Sequence, residues 1–398
     1  MQTQTPTTTR KRILVLTSRF PYPEIGGDRV RILHICRALA AMYDLTLLSL
    51  CQTQSEMEFV PTEPLFQRIH RVLLPRWRSY GNVLAALPTS RPLQLAYYNS
   101  AAYEDAVRQL AATSDLVLGH LIRTGDYIRG LDKPKVLEMT DAISMNYLRM
   151  KSLSGNLSLK RLVYMIEQPR LERYERLAVQ DFDRVWLTSD RDRIFLDDRS
   201  QSQISVVPNG TGMELLPPPT TPSRENVIVF IANMESLQNE DACHYFCRQI
   251  LPEVRRQIPV TLRVVGNAPG VVQKRFRRYE GVHFTGRVAR IEDGVQDAFC
   301  GICSVRAAAG IQNKVLEYLA MGIPCVTSEQ GLGGVQAIPG RDLLVYQTAD
   351  EAVTQVVELH QNAALRARLR AAGRALIDAQ YTWQRTYELI QQAVAGLL

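Results

Sequence analysis

Two ionisable residues three positions apart carry the most specific chemistry in the chain. Lys314 and Glu317 lie in the run Ala309-Gly310-Ile311-Gln312-Asn313-Lys314-Val315-Leu316-Glu317. Val315, Leu316 and Leu319 fit one face of a short helix that Gly322 can end, and Pro324 opens a buried strand through Val326. A helix entered from a glycine loop presents unpaired N–H groups and the positive end of its dipole to an anion. Lys314 in the first turn adds a full positive charge, and Glu317 follows about one turn on, on a neighbouring face. Such a set suits a diphosphate on the helix tip and a carboxylate hydrogen-bonded to sugar hydroxyls. An ordinary core helix with a solvated Lys and Glu has the same spacing, so spacing alone leaves both readings open.

The other candidates stand where short apolar runs end in glycine or a polar residue. Lys11 to Ser18 reads as a buried parallel strand, and Gly26 and Gly27 then lead a helical pattern through Ile32, Leu33, Ile35, Cys36 and Leu39. Strand, glycine loop and helix open a nucleotide-binding type of α/β domain, although the spacing is not G-x-G-x-x-G. Asp44 to Leu50 reads as a second strand, and Ser114 to His120 as another that ends in His120, with Arg123 beyond it. In open α/β sheets ligands gather at the carboxyl ends of strands, which places His120 well; Asp141 tips the strand from Pro134 in the same way.

Other stretches position these groups or stand apart from them. Residues 74–80 and 91–98 mix Arg with Trp and Tyr, which suits an acceptor groove, a lipid interface or a surface loop packed on its own aromatics. Tyr164 to Gln180 carries opposite charges three and four apart and reads as a solvated helix without chemistry. Phe182 to Asp190 is one more strand. The alternation then restarts with strands at Val227–Ile231, Thr261–Gly266, Val282–Arg287 and Gly301–Val305, and a helix over Asp241–Val254.

At 398 residues the chain exceeds one ordinary core and implies two domains. It is 46% hydrophobic and 22% charged, a globular composition. Residues 1–10 are polar, read as a loose tail, and lack the apolar segment of a signal peptide. No run of about 18 apolar residues occurs, so no membrane span and a cytoplasmic location are expected. The formal net charge of +7 suits an anionic substrate, an anionic membrane surface or nucleic acid, but no zinc-finger, RNP or basic-zipper pattern supports the last. Seven cysteines without a secretion signal argue against a disulfide framework. Cys300 and Cys303 fall in a buried strand and point to opposite faces, so they read as structural, as do Cys243 and Cys247. The two N-x-S/T matches, at Asn156 and Asn209, carry no meaning without export.

The run from Gly310 to Pro324 resembles the donor-binding loop and helix of bacterial glycosyltransferases of family 4, closest to the exopolysaccharide-associated branch of the PEP-CTERM/EpsH1 type. The resemblance covers most of the chain. It implies an α/β fold of the GT-B class, two Rossmann-like domains facing each other across a cleft. Residues 1–203 would form the acceptor-side domain, 204–380 the donor-binding domain, and 381–398 a terminal helix returning to the first. It implies a nucleotide-sugar donor as substrate, a polysaccharide or lipid-linked acceptor, retention of configuration, no cofactor, and peripheral contact with the inner face of the membrane. A preorganised helix end and a fixed cation could stabilise the departing diphosphate, so metal independence is expected as well. The residue-by-residue match assigns Gly26, Gly27, Arg306, Gly310, Ile311, Gln312, Asn313, Lys314 and Glu317 to the donor. His120 falls near the reacting sugar, and His120 and Lys314 are the residues placed at the chemistry.

Three positions depart from the family pattern. Ala309 stands where the first glutamate of the E-x7-E signature is usual. Asn233 and Gln238 lie in the stretch where many members carry an Arg and a Lys for the diphosphate. Lys314, helped by Arg306, then replaces those bases. A buried diphosphate without any cation would lose several kcal/mol, so some base must serve in an active enzyme. The rival expectation is a non-catalytic GT-B protein that binds a nucleotide or a partner transferase. A nucleotide-sugar epimerase is a third.

Overall fold

The computed structural model describes residues 10–153, 159–197, 199, 203–217 and 226–398. The expectations for residues 1–9, for Asn156 and for the proline-rich run beyond Pro217 lie outside the described residues. The chain divides into two compact units. The first holds the chain up to Leu148, the stretch that ends at Val207, and the closing segment from Thr386. The second runs mainly from Pro208 to Arg385.

The first unit is built on a seven-stranded parallel sheet. Its strands are β1 (Arg12–Thr17), β2 (Asp44–Cys51), β3 (Arg68–Leu73), β4 (Leu116–His120), β5 (Lys135–Thr140), β6 (Arg184–Leu187) and β7 (Ile204–Val206), in the order β3-β2-β1-β4-β5-β6-β7. Their apolar runs are nearly continuous, as strands covered on both faces require; Ile13 to Leu16 are wholly buried. Helix α1 (Gly27–Ala40) follows β1 and buries Ile32, Leu33, Ile35, Cys36 and Leu39. Gly26 precedes it at φ 101°, a conformation open to glycine and costly for other residues. Two further helices are α2 (Arg76–Ala86), where the sequence showed only mixed bases and aromatics, and α3 (Leu159–Asp181).

The second unit repeats the plan with six parallel strands: β8 (Val227–Ile231), β9 (Thr261–Val265), β10 (Val282–Gly286), β11 (Ala298–Cys303), β12 (Cys325–Ser328) and β13 (Leu344–Tyr346), in the order β10-β9-β8-β11-β12-β13. Helix α4 (Asn313–Met321) connects β11 to β12, and Gly322 closes it in the left-handed conformation at φ 72°. The helix expected over Asp241–Val254 is two α-segments, Leu237–Tyr245 and Leu251–Gln257, joined by a π-turn at Phe246–Ile250. Pro252 explains the interruption: it donates no N–H, and its ring crowds the carbonyl four residues back, at Arg248 in the turn.

Two boundaries differ from the sequence expectation. β7 pairs in parallel with β6, Ile204 opposite Val185, so the strand expected to begin the second domain completes the first sheet. The division falls at Val207/Pro208. At the other end, helix α5 (Trp383–Ala395) enters the first unit from Thr386. Its Ile390 and Val394 are buried among Ile32, Ile35 and Leu39. His34 Nδ1 lies 2.6 Å from the Tyr387 hydroxyl, and Gln391 donates to the Ala38 carbonyl at 3.0 Å.

Candidate functional site

Both sheets place their first strand in the interior and then reverse direction of travel across it. The reversal in the first unit falls between β1 and β4, and in the second between β8 and β11. Connections leave in opposite directions at such a point and open a crevice at the carboxyl ends of the strands. The candidate residues stand at these two edges.

In the first unit His120 ends β4, directly across from Thr17 on β1 and Glu138 on β5. Its imidazole is 4% exposed. His120 Nδ1 lies 2.6 Å from Glu138 Oε2, and Arg31 Nε of α1 donates to Glu138 Oε1 at 2.6 Å. Thr140 adds its hydroxyl to the same carboxylate at 3.0 Å. Burial pushes the Glu138 carboxyl up, but Arg31 and His120 outweigh it and hold it at about 2. An ionised carboxylate accepts only, so Nδ1 carries a proton and donates it to Glu138. The ring's Nε2 is buried with no hydrogen-bond partner among the described residues. Arg31 also donates to the Val207 carbonyl at 3.0 Å, which fixes the guanidinium from a second side.

The backbone beside this group is unusual. Leu121 and Thr140, just past β4 and at the end of β5, have φ of 65° and 67°. A β-branched residue in that region is strained and persists only where its surroundings over-determine it. Asp141 follows Thr140; burial first, then Asp192 and Glu138, raise its carboxyl to about 7. Gly26 and Gly27 open α1 beyond β1, and Asp28 there pairs with Arg19 at 3.1 Å.

In the second unit Gly310, at φ 65°, turns the chain toward α4, whose first turn has no side-chain cap on its N–H groups. Gly310 also accepts from Gly334 at 3.2 Å, so a second glycine loop backs the first. Ile311 is buried, Gln312 is half-buried and precedes the helix, and Asn313 is its exposed first residue. Asn209 donates to Asn313 Oδ1 at 2.8 Å. Lys314 is 7% exposed; its Nζ donates to Asn239 Oδ1 at 2.7 Å and stands 4.8 Å over the Phe230 ring. It forms no ion pair among the described residues, and burial lowers its pKa. Glu317 is half-buried, and burial lifts its carboxyl to about 7 although Lys314 pulls the other way.

Arg306 stands apart from that arrangement. It is paired with Asp241 through Nε at 3.0 Å and through Nη2, and lies 5.2 Å over the Tyr245 ring. Its charge is already matched, whereas Lys314 forms no ion pair among the described residues. Ala309 is buried. Near Lys314 the stretch with Asn233 supplies amides: Asn239 donates to the Asn233 carbonyl at 2.9 Å, and Asn267 to its side chain at 3.4 Å.

Tyr318 locks the helix onto the sheet. Its hydroxyl accepts from Ile231 N at 2.8 Å and lies 3.2 Å from the carbonyls of Val229 and Ile302. The ring fits because Gly301 lacks a side chain; a Cβ there would stand 2.6 Å from it. All seven cysteines are free and buried, in keeping with a structural role. Among the described residues no cluster of three or more His, Cys, Asp or Glu is set to hold a metal, and no helix is long and apolar enough to cross a membrane. A cavity of about 390 Å³ lined by Asp297, Pro324, Arg366 and Arg370 opens at the amino ends of β11 and β12. The nine-residue α4 separates that end from Lys314 by about 13 Å, so the cavity is no part of the loop site.

The sequence singles out His120 and Lys314 but not Glu138 and Arg31, which the fold brings to His120. Glu138 sits inside an apolar strand and Arg31 inside an apolar helix pattern, and a buried charge amid apolar residues is the signal that could have found them.

Residues 225–362 match the family model described as "Glycosyl transferases group 1". No curated protein matches the sequence. Among solved structures, a sucrose-phosphate synthase from Thermosynechococcus elongatus is similar at TM-score 0.73 and 16% identity, over 98% of this chain and 99% of that one. HepE from Anabaena in complex with UDP is similar at TM-score 0.66 and 15% identity, over 97% and 100%. The lipopolysaccharide outer core galactosyltransferase WaaB is similar at 0.61 and 11%, over 97% and 100%. The chain has the GT-B fold, and residues 225–362, most of its second unit, are similar to group 1 glycosyl transferases.

Proposed function

We propose that the protein transfers a sugar from a nucleotide-diphosphate sugar to a polysaccharide or lipid-linked acceptor. The observation that carries this reading is Lys314, a buried ammonium without an acid partner among the described residues, in the first turn of α4 in a group 1 glycosyl transferase domain. A buried cation lacking a counter-charge is costly until an anion arrives. The amides from Gly310 to Asn313 and the Lys314 ammonium would take the diphosphate, and Glu317 the ribose hydroxyls. HepE, similar over its whole length, is in complex with UDP, so UDP is the first nucleotide to try. The His120 Nε2, positioned by Glu138 and Arg31, would accept from or donate to a hydroxyl of the transferred sugar, while Gly26 and Gly27 leave the backbone open to close approach. The Lys314 ammonium and a helix end would stabilise the departing diphosphate without a metal, which is the metal-independent part of the proposal. Retention of configuration and an exopolysaccharide role belong to it on the resemblance alone.

The test is thermal stabilisation by UDP, GDP, ADP and their common sugars with and without magnesium, in the wild type and Lys314→Ala. A ligand at a hundred times its dissociation constant adds about 2.7 kcal/mol. A shift with one nucleotide, lost in the variant, supports the donor site and names its base. No shift with any sinks it. The non-catalytic reading rests on Ala309 and on the engagement of Arg306 by Asp241; binding without sugar release or transfer to any acceptor would establish it.

A further inference from the structure

Helix α2 has its amphipathicity inverted. The side chains it buries are small, Ser79 and Ala86, at 0% and 7% exposure. The large apolar ones point outward: Trp77 is 69% exposed, Tyr80 61%, Leu84 67%, and Leu87, which continues the helical conformation, 50%. At about 100° per residue these four fall within about 80° of one another, one stripe turned away from the buried face. A folded chain in water has no reason to present such a stripe, and contiguous exposed apolar surface marks an interaction site.

The charges around the stripe identify what covers it. From Pro64 to Tyr103 the chain contains five arginines and no Asp or Glu. Arg76 and Arg78 lie on either side of the stripe; both are exposed, and Arg78 stands 5.1 Å over the Trp77 ring. Neither pairs with a carboxylate among the described residues. A second pair of exposed apolar side chains, Leu162 at 52% and Ile166 at 43%, sits on α3, whose Arg170 donates to the Leu87 carbonyl at 2.8 Å. Bases flanking an aromatic and aliphatic stripe match an anionic interface, where Trp and Tyr settle at headgroup depth and Arg meets lipid phosphate.

We infer that α2 docks the first unit on an anionic lipid bilayer, with Trp77, Tyr80, Leu84 and Leu87 entering the interface and Arg76 and Arg78 on the headgroups. This deepens the lipid-linked acceptor reading above and names the surface that would bring the enzyme to it.

The test is co-sedimentation of the full chain with vesicles of phosphatidylcholine alone or with about 30% phosphatidylglycerol, at low and high salt. Expected is binding to the anionic vesicles that weakens with salt, falling about tenfold or more in the Trp77→Ala/Tyr80→Ala/Leu84→Ala variant and in Arg76→Glu/Arg78→Glu. Trp77 emission should shift to the blue on binding, a change absent from Trp77→Phe. Stabilisation by UDP stays as in the wild type in these variants, which separates failure here from failure of the donor site. Absence of vesicle binding, or binding unchanged in both variants, overturns the inference. Self-association that the triple variant abolishes, with no vesicle binding, overturns it in favour of a second copy.

Discussion

His120 and Glu138 are register partners on neighbouring strands, and their side chains meet at 2.6 Å, with the other imidazole nitrogen buried and without a hydrogen-bond partner among the described residues. The carboxylate is in turn clamped by Arg31, so the orientation of the imidazole and the proton on its Nδ1 are set by two residues that need touch no ligand. In the proposed reaction Glu138 and Arg31 are positioning residues, and His120 is the group that meets the sugar.

Replacing Glu138 by Gln tests that arrangement. The neutral amide can donate to Nδ1 and so place the ring proton on Nε2. Turnover is expected to fall about 10²-fold with UDP stabilisation unchanged, the size of a general acid–base contribution. The variant also leaves Arg31 buried without its counter-charge, which should cost about 3–5 kcal/mol of stability, read by denaturant unfolding. Unchanged turnover in a folded variant would show that His120 needs no orienting partner.

Lys314→Met should act in opposite directions on two measurements. It removes a buried ammonium that forms no ion pair among the described residues, so the melting temperature without ligand should hold or rise. Donor affinity should fall about ten- to a hundredfold, the worth of one charge-assisted hydrogen bond. Titration calorimetry with UDP reads the second effect; equal affinity in the two proteins would remove Lys314 from the donor site.

The Glu317 carboxyl, lifted to about 7 by burial, makes a pH prediction with a definite sign. Its folded pKa lies above the unfolded value of 4.5, so the folded state binds more protons between them. Relative to Glu317→Gln, the wild type should therefore lose stability as pH rises from about 4.5 to about 7. Donor binding should move the other way. The ionised carboxylate is the better acceptor for ribose hydroxyls, so affinity should rise through about pH 7 in the wild type and stay flat in the variant. Parallel pH profiles for the two proteins would exclude this role.

Gly301→Ala tests the packing that seats α4. The added methyl would meet the Tyr318 ring at 2.6 Å, and a destabilisation of about 1–3 kcal/mol is expected. Tyr318→Phe keeps the ring atoms that the methyl would meet and removes the hydroxyl that accepts from Ile231 N, so the double variant should be less stable than either single variant. Unfolding by denaturant of the two single variants and the double variant measures both.

The sequence by itself determined the periodic features. Buried parallel strands are continuous apolar runs, so β1, β2, β4, β5 and β8 were legible from local composition. The loop from Gly310 into α4 was equally legible, because a glycine turn, a first-turn lysine and a closing glycine are all local signals. The final helix was readable through its resemblance, and its Ile390 and Val394 fill the core of the first unit.

Only the tertiary structure decided which charges are partners. Arg306 and Asp241 are far apart in sequence and pair across the second unit, which takes Arg306 out of the pool of unmatched cations; Arg31 and Glu138 meet across more than a hundred residues of chain. No spacing rule reaches that far, since such contacts depend on which strands are neighbours in the sheet. The same holds for α2, whose aromatics could have been core or surface until the fold showed that its small residues face inward. Periodicity says that a helix has two faces; only packing says which one meets water.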